Sequence, residues 1–208
     1  MAKYRDPRRL TTSEEDYLKA LYLLTEWEDF PVSTGALADQ LGLSPASATT
    51  MVQKLAGKDL VNHVPRGAIT LSSTGRREAL RMVRRHRLLE TFLRDELGYG
   101  WDEVHDEAEA LEHTVTDRFI DALDERLGHP SRDPHGDAIP AADGTLPASI
   151  AVRLDRFTGE DALIDRISDE DPDFLRRAHE MGLVPGARIN LPHSLNYLDA
   201  SMVWVRPV

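Results

Sequence analysis

Between residues 86 and 113 this chain spaces imidazoles and carboxylates in a way that suits metal binding. In the run HDEAEALEH, His105, Glu109 and His113 recur at i, i+4 and i+8, and Glu112 stands three residues after Glu109. On a helix these four side chains share one face over about two turns. Upstream, His86 and Glu90 form a second i, i+4 pair within VRRHRLLETFL, where Val83 and Leu89 belong to the apolar stripe of an amphipathic helix. Like charges stacked at i, i+3 and i+4 destabilise a helix unless something positive sits among them. A divalent cation meets that need; solvated acidic helix faces are the plain alternative.

The chain has no cysteine. Disulfides, thiolate zinc sites and iron–sulfur clusters are thereby excluded, and any metal must be held by His, Asp and Glu, a set that suits manganese, iron(II) or zinc over copper(I). The zinc-protease pattern H-E-x-x-H is absent, as are paired Glu-x-x-His motifs, a Gly-x-Ser-x-Gly elbow and a phosphate-binding glycine loop. Sensing is therefore favoured over catalysis, and no catalytic residue is expected. No run of about 18 apolar residues occurs, and MAKYRDPRRL lacks the apolar core of a secretory signal. A cytoplasmic protein is expected.

Elements that would position these residues follow from local signals. Thr12 and Glu15 have capping-box spacing for a first helix carrying Leu18, Leu21, Tyr22 and Leu24. A second helix is expected over residues 34–41, with a turn at Gly42-Leu43. Ser44 is an N-cap, Pro45 takes the first helical position, and Ala48, Val52 and Leu55 form the buried stripe of a third helix. Short strands around residues 60–63 and 68–71 enclose a tip at Pro65-Arg66-Gly67. This order is that of a winged helix, which lays its second helix in a DNA major groove. Ala46, Ser47, Thr49 and Thr50 would then face bases, Gln53 and Lys54 would lie nearer the backbone, Arg66 would reach phosphate or the minor groove, and Ser44 and Pro45 at the helix start belong to the same DNA-binding set. A protein-interaction module is the competing reading.

The net charge of −11 belongs to the second part of the chain. Residues 1–80 hold 10 basic and 10 acidic side chains, and residues 41–80 alone hold 5 and 2, so this part can approach phosphates. Gly128 to Ser149, with four prolines and three glycines in 22 residues, reads as a linker. Beyond it a small β-rich domain is expected, with strands at 162–167, 187–191 and 202–205 and a helix at 173–181. It is too short for a comfortable core of its own, so it should pack on the rest or be mobile. The chain ends inside or just after the last of these strands, which leaves room for another beyond it.

A winged helix, then Arg84-Arg85-His86-Arg87-Leu88-Leu89-Glu90, then His105 through His113, then Pro134-His135-Gly136-Asp137-Ala138-Ile139-Pro140, resembles the diphtheria toxin repressor family over nearly the whole length. The resemblance implies a mainly α fold with small β parts. Residues 1–75 would form the winged helix-turn-helix domain and 76–127 a helical metal-binding and dimerisation domain. Residues 128–149 would be a linker and 150–208 an SH3-like (FeoA-like) domain. It implies a homodimeric repressor that binds double-stranded DNA at a palindromic operator, takes Mn(II) or Fe(II) as corepressor and controls metal-uptake genes.

Carried over by residue, the primary site uses Asp16, Glu109, Glu112 and His113. Asp16 and Glu109 fall where the family's iron regulators carry methionine and cysteine and its manganese regulators carry aspartate and glutamate, and hard oxygen ligands suit Mn(II). Without the resemblance Asp16 would be an acid favoured by the helix dipole alone. The ancillary site uses His86, Glu90 and His105, completed from the last domain by Glu170 and Asp173. Lys19 departs from the compact manganese regulators, which carry a second acid there, so separate primary and ancillary sites are expected. An Fe(II)-responsive repressor, and more remotely a metal-independent winged-helix regulator, are the alternatives.

Overall fold

The computed structural model describes residues 10–27, 31–64, 67–191 and 195–208. It divides into two compact units, Met1–Val83 and Arg84–Val208. Pro65 and Arg66, expected at the wing tip, lie outside the described residues.

The first unit runs α1 (Thr12–Glu26), α2 (Thr34–Gln40), α3 (Pro45–Ala56), β1 (Val61–His63) and β2 (Ile69–Leu71), then enters α4 (Ser73–Leu97). Capping at α1 falls one residue before the expected position. The Thr11 hydroxyl accepts from the Glu14 backbone N–H and the Glu14 carboxylate accepts from that of Thr11. Thr11–Glu14 and Thr12–Glu15 have the same spacing, so the pattern alone does not choose between them. Ser44 caps α3, accepting from the Ser47 N–H, with Pro45 in its first turn. Leu18, Leu21, Leu37, Ala48, Val52, Leu55 and Ile69 are buried beneath these elements. β1 and β2 form an antiparallel hairpin in the register Val61↔Leu71, and Val32 bridges to Ile69 outside it. Helix α4 starts hard against that hairpin: a Cβ on Gly75 would lie 1.9 Å from the Leu60 carbonyl oxygen, so only glycine fits.

In the second unit, α4 packs with α5 (Val104–Glu112) and α6 (Asp117–Arg126). Leu88, Leu89, Leu93, Val104, Ala108, Ile120, Leu123 and Ile139 form one apolar cluster. The C-terminal part builds an antiparallel sheet in the order β3-β6-β4-β5, from Val152–Arg153, Val203–Pro207, Asp161–Ile167 and Arg188–Asn190. Helix α7 (Pro172–Glu180) and the short α8 (Tyr197–Ser201) complete it. Its core gathers Ile164, Ile167, Phe174, Leu175, Val203 and Val205, and Trp101 enters the same cluster from between α4 and α5.

The segment expected as a linker is no free tether at its centre. Asp133 and residues 135–140 are buried. Arg84 donates to the Pro140 carbonyl at 2.9 Å and Arg87 to that of Ala138 at 2.6 Å, which straps the segment to α4. Prolines and glycines mark missing periodic structure, and here the backbone bonds go to arginines instead. Among the described residues no helix is long and apolar enough to cross a membrane.

Candidate metal centre

The helical spacing that puts His105, Glu109 and Glu112 on one face of α5 does not bring them to one point. Seven residues of helix separate His105 from Glu112, about 10 Å along the axis, and the two ends serve different groups. At the first turn, His105 Nδ1 lies 3.0 Å from Asp169 Oδ2, 3.5 Å from Glu90 Oε1 and 3.3 Å from His86 Nε2. His86 Nε2 is 3.0 Å from Glu90 Oε1. These four donor atoms lie within 4.8 Å of one another. Separations of 3.0–3.5 Å are those of neighbouring ligands around an ion with bonds of about 2.1 Å.

Two observations show that the group fits a cation. Glu90 is fully buried, yet neither carboxylate oxygen has a hydrogen-bond partner among the described residues, despite the close His86 nitrogen. Its neighbours converge beside it instead of donating to it. His135 is the second. Its Nε2 lies 2.9 Å from the Trp101 backbone oxygen. A carbonyl only accepts, so Nε2 carries a hydrogen and Nδ1 is the ring nitrogen left to face Glu90. That Nδ1 is buried without a hydrogen-bond partner and lies 4.0 Å from Glu90 Oε1. Histidines that ligate metals commonly fix their other ring nitrogen on a carbonyl or a carboxylate. His86 follows the same rule, with Nδ1 2.7 Å from Glu112 Oε2 and Nε2 turned to the group.

Burial and neighbouring charges set the proton affinities of these groups. Burial pushes the His105 ring down, but the hydrogen bond with Asp169 and the nearby Glu90 carboxylate outweigh it and carry it up to about 11. Burial raises Glu90, and the charge of His86 with the approach of His105 holds it below its ordinary value. Asp169 is likewise held low against its burial by the His105 hydrogen bond. Asp133 moves the other way: burial, then the charges of Asp137 and Glu90, raise it well above the usual carboxylate range. It serves chiefly as a turn former, one oxygen accepting the N–H groups of His135 and Asp137 at 2.9 Å each.

From the acidic run after β4, Asp169 is the residue that reaches His105. Glu170 and Asp173, the acids expected there, are exposed, and Asp173 pairs with Arg176 on α7. Asp169 is partly buried where Glu170 is exposed, and Asp173 stands in the first turn of α7. His135 and Asp169 are therefore the site residues that sequence reasoning missed. The Pro-His-Gly string was the available signal for His135.

At the other end of α5, Glu112 is fully buried and His113 is the C-cap, its Nε2 3.5 Å from Glu112 Oε1. Glu109, half-exposed, approaches His86 Nδ1 at 3.9 Å. Asp16 lies in the first unit, partly buried on α1 one turn past its cap.

On α3 the residues expected to face DNA, Ser44, Pro45, Ala46, Ser47, Thr49, Thr50, Gln53 and Lys54, are all exposed. Thr49 and Thr50 donate their hydroxyl protons back to the carbonyls of Pro45 and Ala46, at 2.8 and 3.0 Å. This leaves their oxygens as acceptors. Lys54 is paired, its ammonium 3.1 Å from Glu14.

Three family descriptions match successive stretches. "Iron dependent repressor, N-terminal DNA binding domain" covers residues 9–69, "Iron dependent repressor, metal binding and dimerisation domain" covers 72–141, and the FeoA domain covers 156–206. The iron-dependent repressor IdeR of Mycobacterium tuberculosis is 28% identical over 195 residues, 88% of this chain and 84% of that one. The HTH-type transcriptional regulator MntR of Bacillus subtilis is 33% identical over 113 residues, 54% of this chain and 78% of that one. A solved manganese-dependent transcriptional repressor in complex with manganese superposes with a TM-score of 0.88 at 43% identity, over 94% of this chain and all of that one.

Proposed function

Because this chain belongs to the diphtheria toxin repressor family of metal-dependent, DNA-binding transcriptional repressors, in its manganese-regulator-like branch, we propose that Mn(II) is its corepressor. In this reading the loaded homodimer binds a palindromic operator and shuts off metal-uptake genes. The observation that carries the choice of ion is the donor set, carboxylate and imidazole throughout with no cysteine in the chain, which favours a hard cation.

The primary ligands are Asp16, Glu109, Glu112 and His113. The ancillary ligands are His86, Glu90, His105 and Asp169, with His135 beside them. A bound divalent cation supplies the positive charge that lets these carboxylates lie together. Asp16 then fixes α1 toward α5, and the winged helix takes a set position about the dimer axis. Two α3 helices thereby meet successive major grooves, about 34 Å apart. Ser44, Ala46, Ser47, Thr49 and Thr50 read base edges, Pro45 sets the start of the helix, and Gln53 lies nearer the backbone. Arg66 reaches phosphate or the minor groove. The cation stabilises DNA binding only as far as it prefers this arrangement.

Two experiments test the reading. Chelator-treated protein is offered a pool of random duplexes with and without Mn(II). Enrichment of a palindrome only with Mn(II) is expected, enrichment only with Fe(II) overturns the choice of metal, and enrichment indifferent to metal overturns the corepressor role. In the second, Asp16→Ala is expected to abolish metal-dependent retention while sedimentation still shows the dimer; normal retention with Mn(II) would sink the primary-site assignment.

A further inference from the structure

Helix α3 and the chain on either side of it, through α2 and β1, hold few positive charges. From Thr34 to Asn62 the only lysines or arginines are Lys54 and Lys58. Both turn to one acid. Lys58 Nζ lies 2.6 Å and Lys54 Nζ 3.1 Å from Glu14 Oε1. The other Glu14 oxygen accepts the Thr11 N–H at 2.9 Å, so the whole carboxylate is engaged. The Glu14 side chain is 0% exposed, while those of Lys54 and Lys58 are 48% and 41% exposed. A buried carboxylate keeps its partners because losing them strands a charge away from water. The two lysines are thus paired with a buried carboxylate, Lys54 on the surface of the helix proposed to meet DNA and Lys58 in the turn just after it.

Non-specific affinity for DNA grows with the number of phosphates a protein neutralises, each adding about 0.9 to the slope of log K against log salt. A recognition helix whose cations are already paired contributes little to that slope. We propose that Glu14 is a specificity-determining residue: by occupying Lys54 and Lys58 it withholds the charge of α3 and of the turn after it from phosphate, so the metal-free protein stays off random DNA and base contacts decide affinity. This rests on the reading of α3 as the DNA-facing helix. The grip stands two residues before Asp16, on the same helix α1.

Glu14→Gln tests it, since glutamine keeps the size and capping capacity of the residue and removes only its charge. Retention of a random-sequence duplex by chelator-treated full-length protein is measured across a salt series. Relative to wild type, E14Q is expected to steepen the slope by about 1 to 2 per bound protomer, a roughly tenfold greater loss of affinity between about 50 and 200 mM salt. The variant E14Q/K54Q/K58Q is expected to return to the wild-type slope. An E14Q slope equal to wild type overturns the proposal. Should E14Q fail to fold, K54Q and K58Q singly carry the test. Each is expected to leave the wild-type slope unchanged, and a drop of about 1 in either places that lysine on phosphate already and overturns the proposal. If wild type retains no duplex at any salt even with Mn(II), the DNA reading of α3 itself fails, and the inference with it.

Discussion

His105 and His135 are held differently in the same neighbourhood. The ring of His135 is fixed by a carbonyl, which turns its other nitrogen toward Glu90. The ring of His105 faces two carboxylates and holds its proton, its value raised from 6.5 to about 11. A raised value means that this proton stabilises the cation-free protein fully below about pH 6.5. The contribution is lost as pH rises through about 11. At pH 7 the ring is therefore charged, and binding through Nδ1 must expel the proton. Uptake of Mn(II) at pH 7 is expected to release protons, and ancillary affinity to fall as pH is lowered. Calorimetry in two buffers of different ionisation enthalpy measures this, and heats that do not depend on the buffer would remove His105 from the ligand set. Helical spacing alone picked out His86, Glu90 and His105. It could not separate Asp169 from Glu170, because which acid turns inward depends on how the chain leaves β4, after a register shift between Ile164 and Arg166. Nor could it find the role of His135, which depends on a carbonyl 34 positions away.

Elements with strong local signals were readable one by one. Ser44-Pro45 marks the start of α3 whatever surrounds it. Helix α6 was not singled out within the expected helical domain, because only Ile120 and Leu123 are buried on it while Phe119 is exposed, which blurs the period. The harder case is the strap from Asp133 to Pro140. Gly136 there has φ +94°, and an added Cβ would lie 2.2 Å from the Asp165 carbonyl oxygen. Gly136→Ala is expected to destabilise the second unit by about 2–3 kcal/mol. It should also weaken ancillary metal binding, since His135 is the preceding residue. Urea unfolding and metal titration check the two effects, and an unchanged midpoint would mean that the backbone relaxes freely. Composition marked this strap as a loop, but nothing local revealed that Arg84 and Arg87 would bind it.

Along the chain, the acidic excess lies beyond residue 80, after the residues that form α3 and the hairpin. The C-terminal domain is not a separate body hung on a tether, because Trp101 sits in its core and the strap joins it to α4. Asp169 accordingly reaches His105, its Oδ2 3.0 Å from Nδ1. Trp101 also donates its indole N–H to Pro134, and its ring stacks on that of His135 with centroids 5.4 Å apart. An indole so placed is a built-in lamp beside the ancillary ligands. Loading His135 Nδ1 would polarise the imidazole against which the indole rests, so the emission of Trp101 should change with ancillary occupancy and stay nearly constant when only the primary set fills. Fluorescence titration of Asp16→Ala and His105→Ala would then give the order in which the two sites fill, with no label attached.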